Sequence, residues 1–147
     1  MAFLHLVTRF DGRTIKVPVF LESNNNTFAD KGQGNQLIID TGADYSALTE
    51  WFLRKNGYTN FYNTGVVKRT AAGYVEFKSC QINGMVIANQ FKIGKMKVDV
   101  LTGWEEQTVV GVIGMDILAR MTFILSHEHK KFMLSSQPVS ALNQLFT

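Results

Sequence analysis

Apolar and polar residues alternate along much of this chain in short runs, and turn-forming residues separate the runs. In residues 14–21, Ile15, Val17, Val19 and Leu21 fall on one side, and Asp11-Gly12 separates this segment from an earlier run at 4–10. Two alternating runs joined by Asp-Gly predict a hairpin. Pro18 lacks a backbone N–H, so the second strand is expected at an edge or bulge. Asn83-Gly84 predicts another hairpin between 77–82 and 85–91, a further strand is expected at 95–101, and 122–125 with 131–134 form a last hairpin. Residues 66–77 alternate on either side of a tip of small residues, again the pattern of a hairpin. Only 49–56, closed by Gly57, and a short stretch after Gly114 carry helix signals. The pattern predicts an all-β fold, a small closed β-barrel with one or two short helices. Residues 22–35, rich in Asn, Gly and Gln, predict a long flexible polar loop.

Composition narrows the classes of function. At 147 residues and 46% hydrophobic content, residues 1–147 fit one domain with a real core. The net charge is only +3, without a basic stripe interleaved with aromatics, so nucleic acid is not an expected partner. No apolar run reaches membrane-spanning length and no leader pattern opens the chain, which predicts a soluble protein with no membrane partner. The single cysteine, Cys80, has no bridging partner and fits a reducing, cytoplasmic setting. His127-Glu128-His129-Lys130-Lys131 has neither the spacing nor the companions of a zinc site and reads as a charged turn. Neither metal nor cofactor is expected.

The chemistry concentrates in Leu37-Ile38-Ile39-Asp40-Thr41-Gly42-Ala43-Asp44. An apolar strand running into Asp-Thr-Gly holds a carboxylate at the mouth of a tight turn. Such a tripeptide alone is often an ordinary turn. A loop of this length is not an EF-hand, since Tyr45 stands where its glycine is required and Trp51 where its glutamate is required. The similar phosphate loop of actin-like sugar kinases belongs to proteins with two large domains, and this chain is too short for them. Two further segments accompany the loop. Val109-Val110-Gly111-Val112-Ile113-Gly114-Met115-Asp116 is an apolar run broken by two glycines, which predicts a buried strand closely approached by another backbone and then a helix with Asp116 near its start. The hairpin at 66–77 lies between the two.

Taken in this order, the Asp-Thr-Gly loop, the hairpin and the glycine-bearing run resemble the retropepsin-like aspartic proteases, over roughly residues 14–134. The resemblance implies a barrel of the retropepsin type, equivalent to half of pepsin, and an aspartic endopeptidase acting on polypeptides. This chain has one Asp-Thr-Gly, so the resemblance also implies a homodimer in which two Asp40 side chains form the dyad. Two close carboxylates share a proton, and one can serve as base while the other serves as acid. By the same resemblance Asp40 is catalytic, and Thr41 and Gly42 support the loop. Gly42, Ala43 and Asp44 would meet substrate, Arg69, Thr70, Ala71, Ala72 and Gly73 would form a flap tip over it, and Val110 and Val112 would wall the pockets. Ala43 stands where pepsin-like enzymes often have Ser, which implies a higher working pH than for a Ser variant. Residues 135–147 form a C-terminal tail; Leu142, Leu145 and Phe146 suit either a dimer interface or docking on the same subunit. The alternatives are a catalytically inactive retropepsin-like module for peptide binding or dimerisation, and a processing domain that cuts only its own precursor.

Overall fold

The computed structural model describes residues 5–9, 14–25, 34–70, 73–103 and 108–135. Among the described residues, twelve strands and two short helices follow one another as β1 (His5–Arg9), β2 (Lys16–Leu21), β3 (Gln36–Ile39), β4 (Ala47–Thr49), α1 (Glu50–Lys55), β5 (Phe61–Thr70), β6 (Gly73–Ile82), β7 (Met85–Ile87), β8 (Phe91–Ile93), β9 (Met96–Leu101), β10 (Val109–Ile113), α2 (Met115–Leu118), β11 (Thr122–Ser126) and β12 (Lys131–Ser135). Nine of the strands join in the order β5-β6-β9-β4-β10-β3-β2-β7-β8, and the other three in the order β1-β12-β11. No helix among the described residues is long and apolar enough to cross a membrane.

The all-β class and the two short helices match the pattern read from the sequence. The closed barrel does not: among the described residues neither run of strands returns to its start. At one end β5 pairs with β6, and at the other the three-residue β8 pairs with β7. Two predicted hairpins are also rearranged. β1 pairs with β12 instead of β2, while Asp11-Gly12 lies outside the described residues. Asn83-Gly84 connects β6 to β7, but these strands pair elsewhere, β6 with β5 and β9, β7 with β2 and β8. The local turn chemistry is right in kind; it does not specify which strand becomes the partner. Met85–Ile87 and Phe91–Ile93 instead make a hairpin of their own around Ala88 and Asn89, both with positive φ.

Pro18 sits where β2 changes partner. Lys16, Val17 and Pro18 pair with β3, and Val19 to Leu21 pair with β7. A residue without an N–H costs least at such a crossing point. Val17, Val19 and Leu21 point into the core, where they join Leu37, Leu48, Ile82, Ile113, Ile117 and Phe132. α1 forms as the sequence predicts. Thr49 caps it by accepting the Phe52 N–H at 3.2 Å, Phe52 and Leu53 enter the core, and Arg54 pairs with Glu50 at 2.9 Å. Gly57, at φ +86°, donates to the Arg54 carbonyl while Tyr58 donates to that of Leu53. This left-handed closure is one that glycine makes without strain. β11 and β12 form the last hairpin, with His127 to Lys130 exposed in its turn.

Candidate active site

β10 is the element around which the site is built. It runs parallel to β3 on one side and antiparallel to β4 on the other. The loop of residues 40–46 leaves β3 and returns as β4, so β10 lies between its two ends. Gly111 is needed for this close approach: a Cβ there would stand 2.1 Å from the Ala47 carbonyl oxygen. Gly114 has the same role at the end of the strand, where a Cβ would come within 2.7 Å of the Tyr45 carbonyl carbon and 2.8 Å of the Ala43 oxygen. Both glycines therefore admit backbone rather than supply flexibility.

Asp40 is held from several directions. Its N–H donates to the Ile113 carbonyl at 2.9 Å, and its own carbonyl accepts the Ala43 N–H at 3.2 Å. Its Oδ1 accepts the Gly42 N–H at 3.0 Å, which orients the carboxylate over the turn. Asp40, Thr41, Gly42 and Asp44 are exposed and Ala43 is half-buried, so the loop presents its polar groups outward. The remaining support comes from α2. Met115 N–H donates to the Ala43 carbonyl at 2.7 Å, and Asp116 N–H donates to the Asp44 carbonyl at 3.1 Å.

Asp116 ties the assembly together in a way the sequence did not reveal. Its carboxylate accepts the Ser46 N–H at 3.0 Å and the Ser46 hydroxyl at 2.6 Å, and the Ser46 Oγ accepts the Gly114 N–H at 2.9 Å. The acid near the start of a helix looked like a helix-end preference; its main partner is a buried serine far away in the chain. Only the tertiary fold brings the two together.

The structure distributes the other predicted site residues unevenly. Val112 is half-buried, but Val110 is 0% exposed within the core and has no surface for a substrate to touch. The pairing of β10 with β3 shifts between Val109 and Gly111, leaving Val110 as an extra residue in the strand. Such a bulge breaks simple alternation. The hairpin read from 66–77 is present and longer than expected, with Thr70 opposite Gly73 and Arg69 opposite Tyr74. Ala71 and Ala72 lie outside the described residues, as do residues 26–33 of the polar loop and 136–147 of the tail. A separate cleft of about 390 Å³, lined by Asn24, Tyr58, Asn60, Tyr62, Cys80 and Gln81 among others, includes no residue of the Asp40 loop. Burial pushes the Cys80 thiol above its usual pKa, so it stays neutral and inert.

A strand entering Asp-Thr-Gly, a glycine-bearing strand threaded between the loop's ends and a helix fastened beneath it define the retropepsin-like fold. The family profile described as "gag-polyprotein putative aspartyl protease" matches residues 29–120, and the chain belongs to that family. Among solved structures, the chain is similar to a retropepsin-like aspartic protease from Rickettsia conorii, at 20% identity and a TM-score of 0.60, over 91% of this chain and 98% of that one. It is also similar to the retroviral protease-like domain of Ddi1 from Leishmania major, at 15% identity and a TM-score of 0.51, over 88% of this chain and 100% of that one. No curated protein sequence matches it.

Proposed function

We propose that two copies of this chain form an aspartic endopeptidase, with Asp40 from each copy meeting as a dyad that hydrolyses a peptide bond. The observation that carries this reading is the exposed Asp40 carboxylate, oriented by the Gly42 N–H on a loop fastened to β10 and α2. A peptide-binding or dimerisation module has no need of an acid so placed. The ionised Asp40 takes a proton from a water whose oxygen attacks the peptide carbonyl carbon. The protonated Asp40 of the second copy gives its proton to the carbonyl oxygen. The tetrahedral intermediate then collapses: the first Asp40 gives the proton it took to the leaving nitrogen, the C–N bond breaks, and the second Asp40 takes a proton from a diol hydroxyl, which restores the dyad.

In this reading Thr41 ties the two loops together, and Gly42, Ala43 and Asp44 meet the substrate backbone. Val112 lines a pocket, and the hairpin of β5 and β6, with residues Arg69 to Gly73 at its tip, closes over the substrate and excludes water. The test is cleavage of an unstructured protein by wild type and Asp40→Asn. The variant should keep its fold by circular dichroism and lose cleavage by a factor of at least about 10³. Cleavage that survives in a folded Asp40→Asn protein removes the dyad mechanism.

A further inference from the structure

The nine-stranded sheet ends on one side in β5, which pairs only with β6 among the described residues. At ten residues β5 is far longer than β8, the three-residue strand at the opposite end. A long end strand presents a row of backbone N–H and C=O groups to which an extended chain can add. The cleft of about 390 Å³ lies at the head of this strand. Asn60 precedes β5 and Tyr62 is its second residue, while Gln81 comes from β6 and Asn24 from the segment that follows β2.

The chemistry of the cleft selects its occupant. Tyr58 and Cys80 close it from the core side, and burial raises the pKa of both, so they meet a ligand as neutral groups. Asn24, Asn60, Tyr62 and Gln81 are exposed, and their side chains make no hydrogen bond to another described residue. Among the described residues no charged side chain lines the cleft, so a charged ligand would lose hydration there without gaining a counter-charge. A purely apolar ligand would cover three amides and replace none of their hydrogen bonds. A side-chain amide, with one carbonyl and two N–H donors, complements Asn24, Asn60 and Gln81 in both senses, and Tyr62 adds an apolar ring with a polar tip.

We propose that β5 and this cleft form an exosite, in which a substrate polypeptide adds to the free edge of β5 and places an asparagine or glutamine side chain in the cleft. This rests on the proposed protease reading and extends it to a part of the substrate far from the scissile bond. The direction of β5 supports it. The strand starts at the cleft and ends at Thr70, in the hairpin tip proposed to close over the substrate. Ten residues of strand span about 33 Å, so the amide residue would lie about ten residues from the bond that is cut. A second copy fits this edge less well. Antiparallel pairing through β5 would put the two hairpin tips at opposite ends of the joint sheet, away from a shared dyad.

The first arm of the experiment measures binding to folded Asp40→Asn protein, which needs no turnover. The probes are Ser/Thr/Val peptides of about twelve residues, long enough to lie along β5, with one central Gln, Leu or Glu. By nuclear magnetic resonance titration the Gln peptide should shift the amide signals of Asn60, Tyr62 and Gln81. It should bind about tenfold more tightly than the Leu or Glu peptide, the scale of one hydrogen bond left unmade. Asn60→Ala with Gln81→Ala should remove that preference, and N-methylation of the peptide backbone at alternate positions should abolish binding. Equal binding of the three peptides, or shifts that leave β5 untouched, overturns the exosite. The second arm compares a short substrate of wild type with the same substrate extended by about ten residues to a Gln. The extension should lower KM about tenfold at unchanged kcat. The double variant should lose this advantage and cut the short substrate as wild type does. If the short substrate is cut and the extension changes nothing, the exosite falls and the protease reading stands. If the Gln peptide binds but neither substrate is cut, the protease reading falls and the exosite with it. Loss of dimers in the double variant by sedimentation would assign the edge to a second copy and overturn the exosite.

Discussion

At the scale of single residues, the geometry of the candidate site was legible where it is local and hidden where it is not. Asp40, Thr41 and Gly42 announce themselves because turn, carboxylate and close backbone approach are contiguous in sequence. Asp116 did not, because Ser46 lies 70 residues away. Its removal should be costly. Asp116→Ala deprives the buried Ser46 N–H and hydroxyl of their acceptor, and an unsatisfied buried group costs roughly 1–3 kcal/mol. Urea unfolding should show this loss, with Asp116→Asn milder because an amide oxygen still accepts. Equal stability of Asp116→Ala and wild type would contradict the assigned role. Titration is a second test at this scale. Burial raises the pKa of Cys80 and also that of Tyr58, whose hydroxyl donates to the Glu22 carbonyl and accepts the Asn83 N–H. Both groups are neutral when protonated. Their contribution is therefore complete below the unfolded-state pKa values and is lost as pH rises toward the folded ones. Stability should fall above about pH 8.5, the region where an exposed thiol ionises. Cys80→Ala should flatten the first part of that fall, and a wild-type stability unchanged from neutral pH to pH 10 would show that neither group is shielded.

Elements were legible when their partners are neighbours in sequence. Helix α1 was readable from its cap, its apolar pair and Gly57, and the hairpin of β11 and β12 from two runs around a charged turn. β1 and β7 were misassigned, since alternation and a turn identify strands without saying which ladder they join. The glycines of β10 are a case between these. Their sequence position signalled a close approach; the structure identifies the approaching backbone as that of Ala47, Ala43 and Tyr45. Gly111→Ala should therefore force β10 away from β4 and destabilise by on the order of 3 kcal/mol, at the upper end of overpacking costs. Gly94→Ala is the matched control. A Cβ there meets nothing within 4 Å, so its effect should stay within about 0.5 kcal/mol. Thermal or urea unfolding of the two variants separates the explanations: similar losses would mean that backbone freedom, not space, selects glycine at position 111.

For the whole molecule, the open run of strands and the single Asp40 point in one direction. A dyad needs two carboxylates, and this sequence carries a single Asp-Thr-Gly. The strands predicted to close a barrel are instead divided between two sheets, because β1 joins β12 and leaves β2 to bridge β3 and β7. Sequence patterning could not anticipate this, as period-two alternation is the same in an open and a closed sheet. If activity belongs to the pair, its dependence on concentration must follow the association equilibrium. Specific activity should be constant well above the dimer dissociation constant and should fall in proportion to concentration well below it. Subunit mixing gives an independent measurement. When wild type is equilibrated with a ninefold excess of folded Asp40→Asn protein, random pairing leaves about a tenth of the wild-type chains in dimers with two Asp40 carboxylates. Activity per wild-type chain should therefore drop to about a tenth, with the drop appearing at the rate of subunit exchange. Activity that stays unchanged in the mixture, together with sedimentation showing an active monomer on dilution, would mean that one chain performs the hydrolysis alone and that the second acid must be sought within it.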